Sequence, residues 1–225
     1  MQRHFDQELQ KLKESVLTMA SYAQAAVTNA INALTTRDDD LARKVKQDDA
    51  ILDRFEKEID ESSINLLALK APLASDLRLI TIAMKIAHDL ERVGDEATTI
   101  SRRALELNKE PQLKPYVDIP RMAEMALEML RTAIEAFVER DSAKARAVIP
   151  RDKEVDALNK QLHRELVSFV IENPATITRA LNLMVISKSL ERIADHATNI
   201  AEEVVYVYEA LDIRHSKPSA APQTT

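Results

Sequence analysis

The chain has 225 residues, 45% of them hydrophobic and 30% charged, with a formal net charge of −6. That acidic balance argues against nucleic-acid binding, which needs a basic surface to neutralise phosphates. No cysteine is present, so a disulfide framework and a thiolate metal site are excluded, and a reducing compartment is expected.

The opening stretch "MQRHFDQELQKLKESV" lacks the apolar core of a signal peptide. No segment reaches the ~18 apolar residues that suggest a membrane span. The expectation is a soluble cytoplasmic protein without membrane insertion. A single glycine, Gly94, and 4% aromatic residues leave little for tight hairpins or sheets, so an all-α chain is expected. The first predicted helix covers residues 5–36 and stops at "TTRDDD". A second runs to Lys70, with Val45, Leu52, Ile59 and Leu66 stepping by seven, and Phe55 and Leu69 on the same face. A third starts near Pro72 and ends near Asn108. The stretch "NKEPQLKPYVDIP" then breaks the pattern, as Pro174 does later. In the second half Val148, Val155, Leu162 and Phe169 repeat the seven-residue step. Met122, Met125 and Met129 form a helical stripe that reads as core or interface. The polar end "RHSKPSAAPQTT" reads as a disordered tail, residues 213–225.

The two halves are a repeat. "AINALTTRDDDLARKV" from Ala30 aligns with "AIEAFVERDSAKARAV" from Ala133 at an offset of 103. Beyond the turn the offset becomes 100, and "LERVGD" at 90–95 aligns with "LERIAD" at 190–195. Two units of three helices follow, residues 1–110 and 115–212, as two pseudo-symmetric three-helix bundles with six long helices in all. Gly94 aligns with Ala194, a position that wants a small side chain for close helix approach.

Four acidic pairs recur at i, i+4 spacing: Asp49/Asp53, Glu91/Asp95, Asp152/Asp156 and Glu191/Asp195. That spacing stacks like charges on one helical face, at a cost of a few tenths of a kcal/mol. All four pairs adjoin the apolar seam. The midpoints 51 and 93 stand 20 and 22 residues from a turn at 71, and the midpoints 154 and 193 stand 19 and 20 residues from a turn at 173. At the helical rise, each unit therefore holds four carboxylates at one level, ~30 Å from its turn. Four close anions need a cation, a proton or water, and carboxylate oxygens suit Mg, Ca, Mn or Fe. A solvated, ion-paired face would carry the same spacing, since Arg92, Arg192 and Lys188 each stand three residues before an acid. Duplication at matched height weighs against it. His88 precedes Glu91 by three residues, but its repeat partner is Lys188; His88 and His196 read as surface or packing residues.

With its duplicated unit and the segments "DLERVGDEATTI" and "SLERIADHATNI", the chain resembles the PhoU family over residues 5–212. The resemblance implies metal clusters on Asp49, Asp53, Glu91, Asp95, Asp152, Asp156, Glu191 and Asp195, with divalent or trivalent Fe, Mn, Mg or Zn as the ion. Thr99 and Asn199 continue the stripe and assist. It also implies a homodimer that represses the phosphate-starvation response, bridging the ATPase subunit of a phosphate ABC transporter and a sensor histidine kinase. The chain departs from its own repeat at Pro150, where the first unit has Gln47, and a kink two residues before Asp152 is expected. Two alternatives are a metal-free helical adaptor and a carboxylate-bridged di-metal oxidase. The oxidase needs Glu-x-x-His motifs, and none of the five histidines has Glu three residues before it. No catalytic constellation is evident in the sequence, so a non-enzyme is expected.

Overall fold

The computed structural model describes residues 2–70 and 74–213. The expected turn at Pro72 and the tail from residue 214 lie outside the described residues. Helix α1 spans Gln2–Thr35, α2 Asp39–Lys70 and α3 Ala74–Leu107. After a linker come α4 Asp118–Glu139, the short α5 Ser142–Val148, α6 Asp152–Glu172 and α7 Ile177–Glu209. The six long helices form two three-helix bundles, and the described residues contain no strand.

The helices form where the apolar spacing requires them. Val45, Leu52, Ile59 and Leu66 are all buried, as are Val148, Val155 and Leu162. Phe169 is only half-buried, and Leu166 fills the core in its place. Met122 and Met129 are fully buried, with Met125 packed against the core.

Both units turn from their first helix to the next in the same way. Arg37 and Arg140 take left-handed backbone conformations, with φ of 58° and 59°. The following residues donate back into the helix, Asp38 N to Ala33 O and Asp141 N to Ala136 O, at 3.0 Å each. Asp38 Oδ1 then accepts from Leu41 N, and Asp141 Oδ1 from Lys144 N, both at 2.9 Å, starting the next helix. Arg37 also donates to the carbonyls of Asn108 and Glu110, which ties this turn to the end of α3.

The middle helix differs between the units. In the first unit α2 runs unbroken, whereas in the second Ile149–Arg151 form a 3-10 turn between α5 and α6. Pro150 has no N–H to give to the carbonyl four residues back, so the ladder tightens there.

The bundles meet along α3 and α7. Lys85 pairs with Glu203 at 2.9 Å, Asp89 with His196 at 2.8 Å, and Glu96 with Arg192 at 3.1 Å. Numbers rise on one helix as they fall on the other, so the two run antiparallel. Glu203 is only 8% exposed at its side chain.

Candidate metal centre

In the second unit the four carboxylates come together. Asp152 on α6 faces Asp195 on α7, and both feel the charges of Asp156 and Glu191. Burial, then the charges of Asp152 and Glu191, push the Asp195 carboxyl up to about 6, against the opposing pull of Lys188. Asp152 is also raised, by burial first and then by Asp156 and Glu191.

The first unit is looser. Asp49 on α2 is raised by burial, by Asp53 one turn on, and by Asp95 across on α3. Glu91 is raised by burial and then by Asp95, with Arg92 opposing. Gly94 sits beneath this contact. A Cβ there would lie 3.3 Å from Asp49 Oδ1 and 2.3 Å from Leu52 Cδ1, so the absent side chain is what lets the α2 carboxylate reach the α3 backbone.

Cations stand beside several of the acids. Arg92 meets Glu91 at 3.2 Å and Asp95 at 2.8 Å. Lys188 meets Glu191, and Lys160 meets Asp156 at 3.4 Å. Arg192 does not pair with Asp195 as its spacing suggests; it crosses the seam to Glu96. Asn199 likewise reaches Asp89 at 3.5 Å rather than the acidic stripe. Helix rotation aims both side chains at α3. Of the two histidines weighed, His196 serves the seam, whereas His88 Nδ1 lies 3.0 Å from Glu56 Oε1.

The donor set fits a hard or borderline cation. Asp152 Oδ1 is shut off from water and accepts no hydrogen bond. The Oε2 atoms of Glu91 and Glu191 are buried too, on side chains only 15% and 13% exposed, but each already meets a cation, Arg92 and Lys188. A buried oxygen without a donor is satisfied by a coordinating ion. Sequence spacing missed one element here. Glu56, His88 and Glu91 bring one ligand atom each to within 4.8 Å of one another, the one such group of three among the described residues. The available signal was Glu56, which stands seven residues after Asp49 and so extends its stripe.

Two three-helix bundles joined on an antiparallel seam, each with an acidic face between its last two helices, define a duplicated all-helical protein. The family model of the PhoU domain matches it twice, at residues 16–104 and 119–204. The chain belongs to the PhoU family. It is 39% identical over 214 residues to the phosphate-specific transport system accessory protein PhoU homolog of Pseudomonas aeruginosa, covering 95% of this chain and 88% of that one. The homolog of the same description in Aquifex aeolicus is 42% identical over 208 residues, covering 92% and 94%. The crystal structure of PhoU from Pseudomonas aeruginosa superposes with a TM-score of 0.89 at 39% identity, covering 92% of this chain and all of that one. The phosphate transport system regulatory protein PhoU from Streptococcus pneumoniae gives 0.86 at 27% identity, covering 92% and 98%. No helix among the described residues is long and apolar enough to cross a membrane.

Proposed function

We propose that this protein is a non-enzymatic cytoplasmic regulator of phosphate uptake that represses the phosphate-starvation response when phosphate is plentiful. It couples the ATPase subunit of a phosphate ABC transporter to a sensor histidine kinase, and it acts as a homodimer. Residues 1–110 and 115–212 are the two units of the duplication. The observation that carries this reading is likeness over nearly the whole chain to accessory proteins of a phosphate-specific transport system.

Such a regulator acts by occupying a partner surface and shifting that partner's conformational equilibrium. About 1.4 kcal/mol of differential affinity already changes an equilibrium tenfold. In this reading Asp49, Asp53, Glu91 and Asp95 hold metal in the first unit, and Asp152, Asp156, Glu191 and Asp195 in the second. A bound ion supplies positive charge that joins neighbouring helices where their carboxylates would otherwise repel. The carboxylates orient toward that charge, and Gly94 keeps the space for Asp49 open. A metal-free adaptor is the second reading, favoured by the pairing of Arg92 with Glu91 and Asp95.

The test is genetic. Deleting the gene is expected to leave phosphate-starvation genes switched on in phosphate-rich medium, and normal repression there defeats the reading. Replacing Glu91, Asp95, Glu191 and Asp195 with Ala in a protein that still folds is expected to relieve repression in part. Full repression in that variant confines the acidic faces to a dispensable role.

A further inference from the structure

We propose that Glu56, His88 and Glu91 form a mixed nitrogen and oxygen site for a single borderline divalent ion of the zinc class, present in the first unit alone. The three residues come from two helices, Glu56 from α2 and His88 and Glu91 from α3. Their ligand atoms already lie within 4.8 Å of one another. A zinc ion bonded at about 2.0–2.2 Å to each draws its donors to within about 3–4 Å, so little closure is needed. One imidazole with two carboxylates is a three-ligand set that leaves a fourth position open, and the nitrogen shifts preference away from magnesium and calcium. Glu56 and His88 line a cavity of about 500 Å³, whose wall also carries Asp60, Asp89 and Asn199.

The repeat supplies an independent pointer to a cation. By the offsets of 103 and 100, Glu56, His88 and Glu91 correspond to Asn159, Lys188 and Glu191. Lys188 places its ammonium on Glu191. The second unit thus builds a permanent cation into the position where the first presents an imidazole, beside a glutamate buried to the same degree. Arg92 also meets Glu91, but it is tied to Asp95 at 2.8 Å. The 3.0 Å contact of His88 Nδ1 with Glu56 Oε1 needs a proton between the two atoms. Zinc takes that proton's place, so its uptake releases a proton. Glu91 serves both this site and the acidic pair of its own helix, as a carboxylate with two oxygens can. Asp49, Asp53 and Asp95 are not part of the trio, and the site stands whether or not the phosphate reading does.

The experiment uses the full chain, stripped with a chelator and dialysed, then titrated with zinc chloride alone against a chromophoric zinc indicator at pH 7.5. Wild type is compared with His88→Lys, which installs the second unit's residue, with Glu56→Gln, and with the pair Asp49→Asn and Asp53→Asn. Thermal unfolding first establishes that each variant folds, and His88→Asn replaces any His88→Lys protein that does not. Wild type is expected to bind one zinc equivalent more than His88→Lys. Glu56→Gln is expected to weaken that equivalent at least about tenfold, while the Asp49→Asn, Asp53→Asn protein retains it. X-ray absorption at one equivalent is expected to show imidazole scattering that disappears in the His88 variant. Unchanged zinc stoichiometry and affinity in both His88→Lys and Glu56→Gln, or zinc bound without imidazole scattering, overturns the proposal. Repression measured in the deletion strain is a separate readout, so failure of this site and failure of the phosphate reading are told apart.

Discussion

Asp195 of α7 faces Asp152 of α6 across the second unit, close enough for the charge of one carboxyl to bear on the other. Burial first, and then the charges of Asp152 and Glu191, push the Asp195 carboxyl up to about 6.

This raised carboxyl has a consequence for stability. A carboxyl that binds its proton more tightly when folded costs nothing at pH values below the unfolded pKa. It costs increasingly as pH rises through the folded value, because the folded state must then hold a charge it disfavours. In metal-free protein, Asp195→Asn removes that cost and is expected to raise the melting temperature at pH 7–8. Each pKa unit is worth about 1.4 kcal/mol, and the partial exposure of Asp195 cuts the total gain to about 1 kcal/mol. The expected rise is about 2–4 °C, shrinking to nothing by about pH 4. Thermal unfolding followed by circular dichroism across pH measures it. An equal gain at every pH means that the effect comes from packing instead.

Metal bound to the folded state alone stabilises by mass action, about 2.7 kcal/mol at a hundredfold excess over Kd. For a chain of this size, manganese is expected to raise the melting temperature by about 5–10 °C, and chelator to reverse it. A variant carrying Glu91→Gln, Asp95→Asn, Glu191→Gln and Asp195→Asn is expected to lose that shift. Differential scanning fluorimetry with and without manganese gives the answer, and a shift kept by the variant places the ion elsewhere.

Gly94→Ala sets two effects against each other. Alanine favours a helix over glycine by about 1 kcal/mol. Its Cβ would stand 2.3 Å from Leu52 Cδ1, and overpacking of a buried leucine costs about 1–3 kcal/mol. Net destabilisation of about 1 kcal/mol is expected from urea unfolding. Leu52→Ala, costly alone, is expected to be cheaper in the Gly94→Ala background because the two share one space. Additive costs rule out the contact as the cause.

Lys85→Met removes an ammonium from Glu203, whose side chain is 8% exposed. Taking one partner from a buried pair costs more than taking both. A loss of about 1–2 kcal/mol is expected for the single change, with Lys85→Met, Glu203→Met closer to wild type. A double-mutant cycle by urea denaturation measures the coupling, and a coupling near zero makes Lys85 a solvated bystander.

Much of this architecture is legible in the residues. The boundary predicted at 36 falls at Thr35, the one at Lys70 falls at Lys70, and the one at Asn108 falls at Leu107. Period and turn chemistry govern those limits, and both are local. Pro150 marks the break in the second unit's middle helix for the same reason. The partners of Arg192, Asn199 and His88 are not legible. Each depends on how far a helix is rotated about its axis, and so on which neighbour its side chain meets. Spacing along one helix cannot tell Asp195 from Glu96 as the acid for Arg192, because the choice is made by the packing of α7 on α3.

That antiparallel seam also governs how the chain reaches its final state. The residues paired across it, Lys85 with Glu203 and Asp89 with His196, are separated by 118 and 107 positions of sequence. Contacts within each bundle close shorter loops and form sooner, whereas the seam waits on two largely built halves. Its ion pairs draw the halves together through water, so salt screens the approach. A late docking phase is therefore expected in refolding, with a rate that falls as ionic strength rises, while the earlier formation of helix is expected to be indifferent to it.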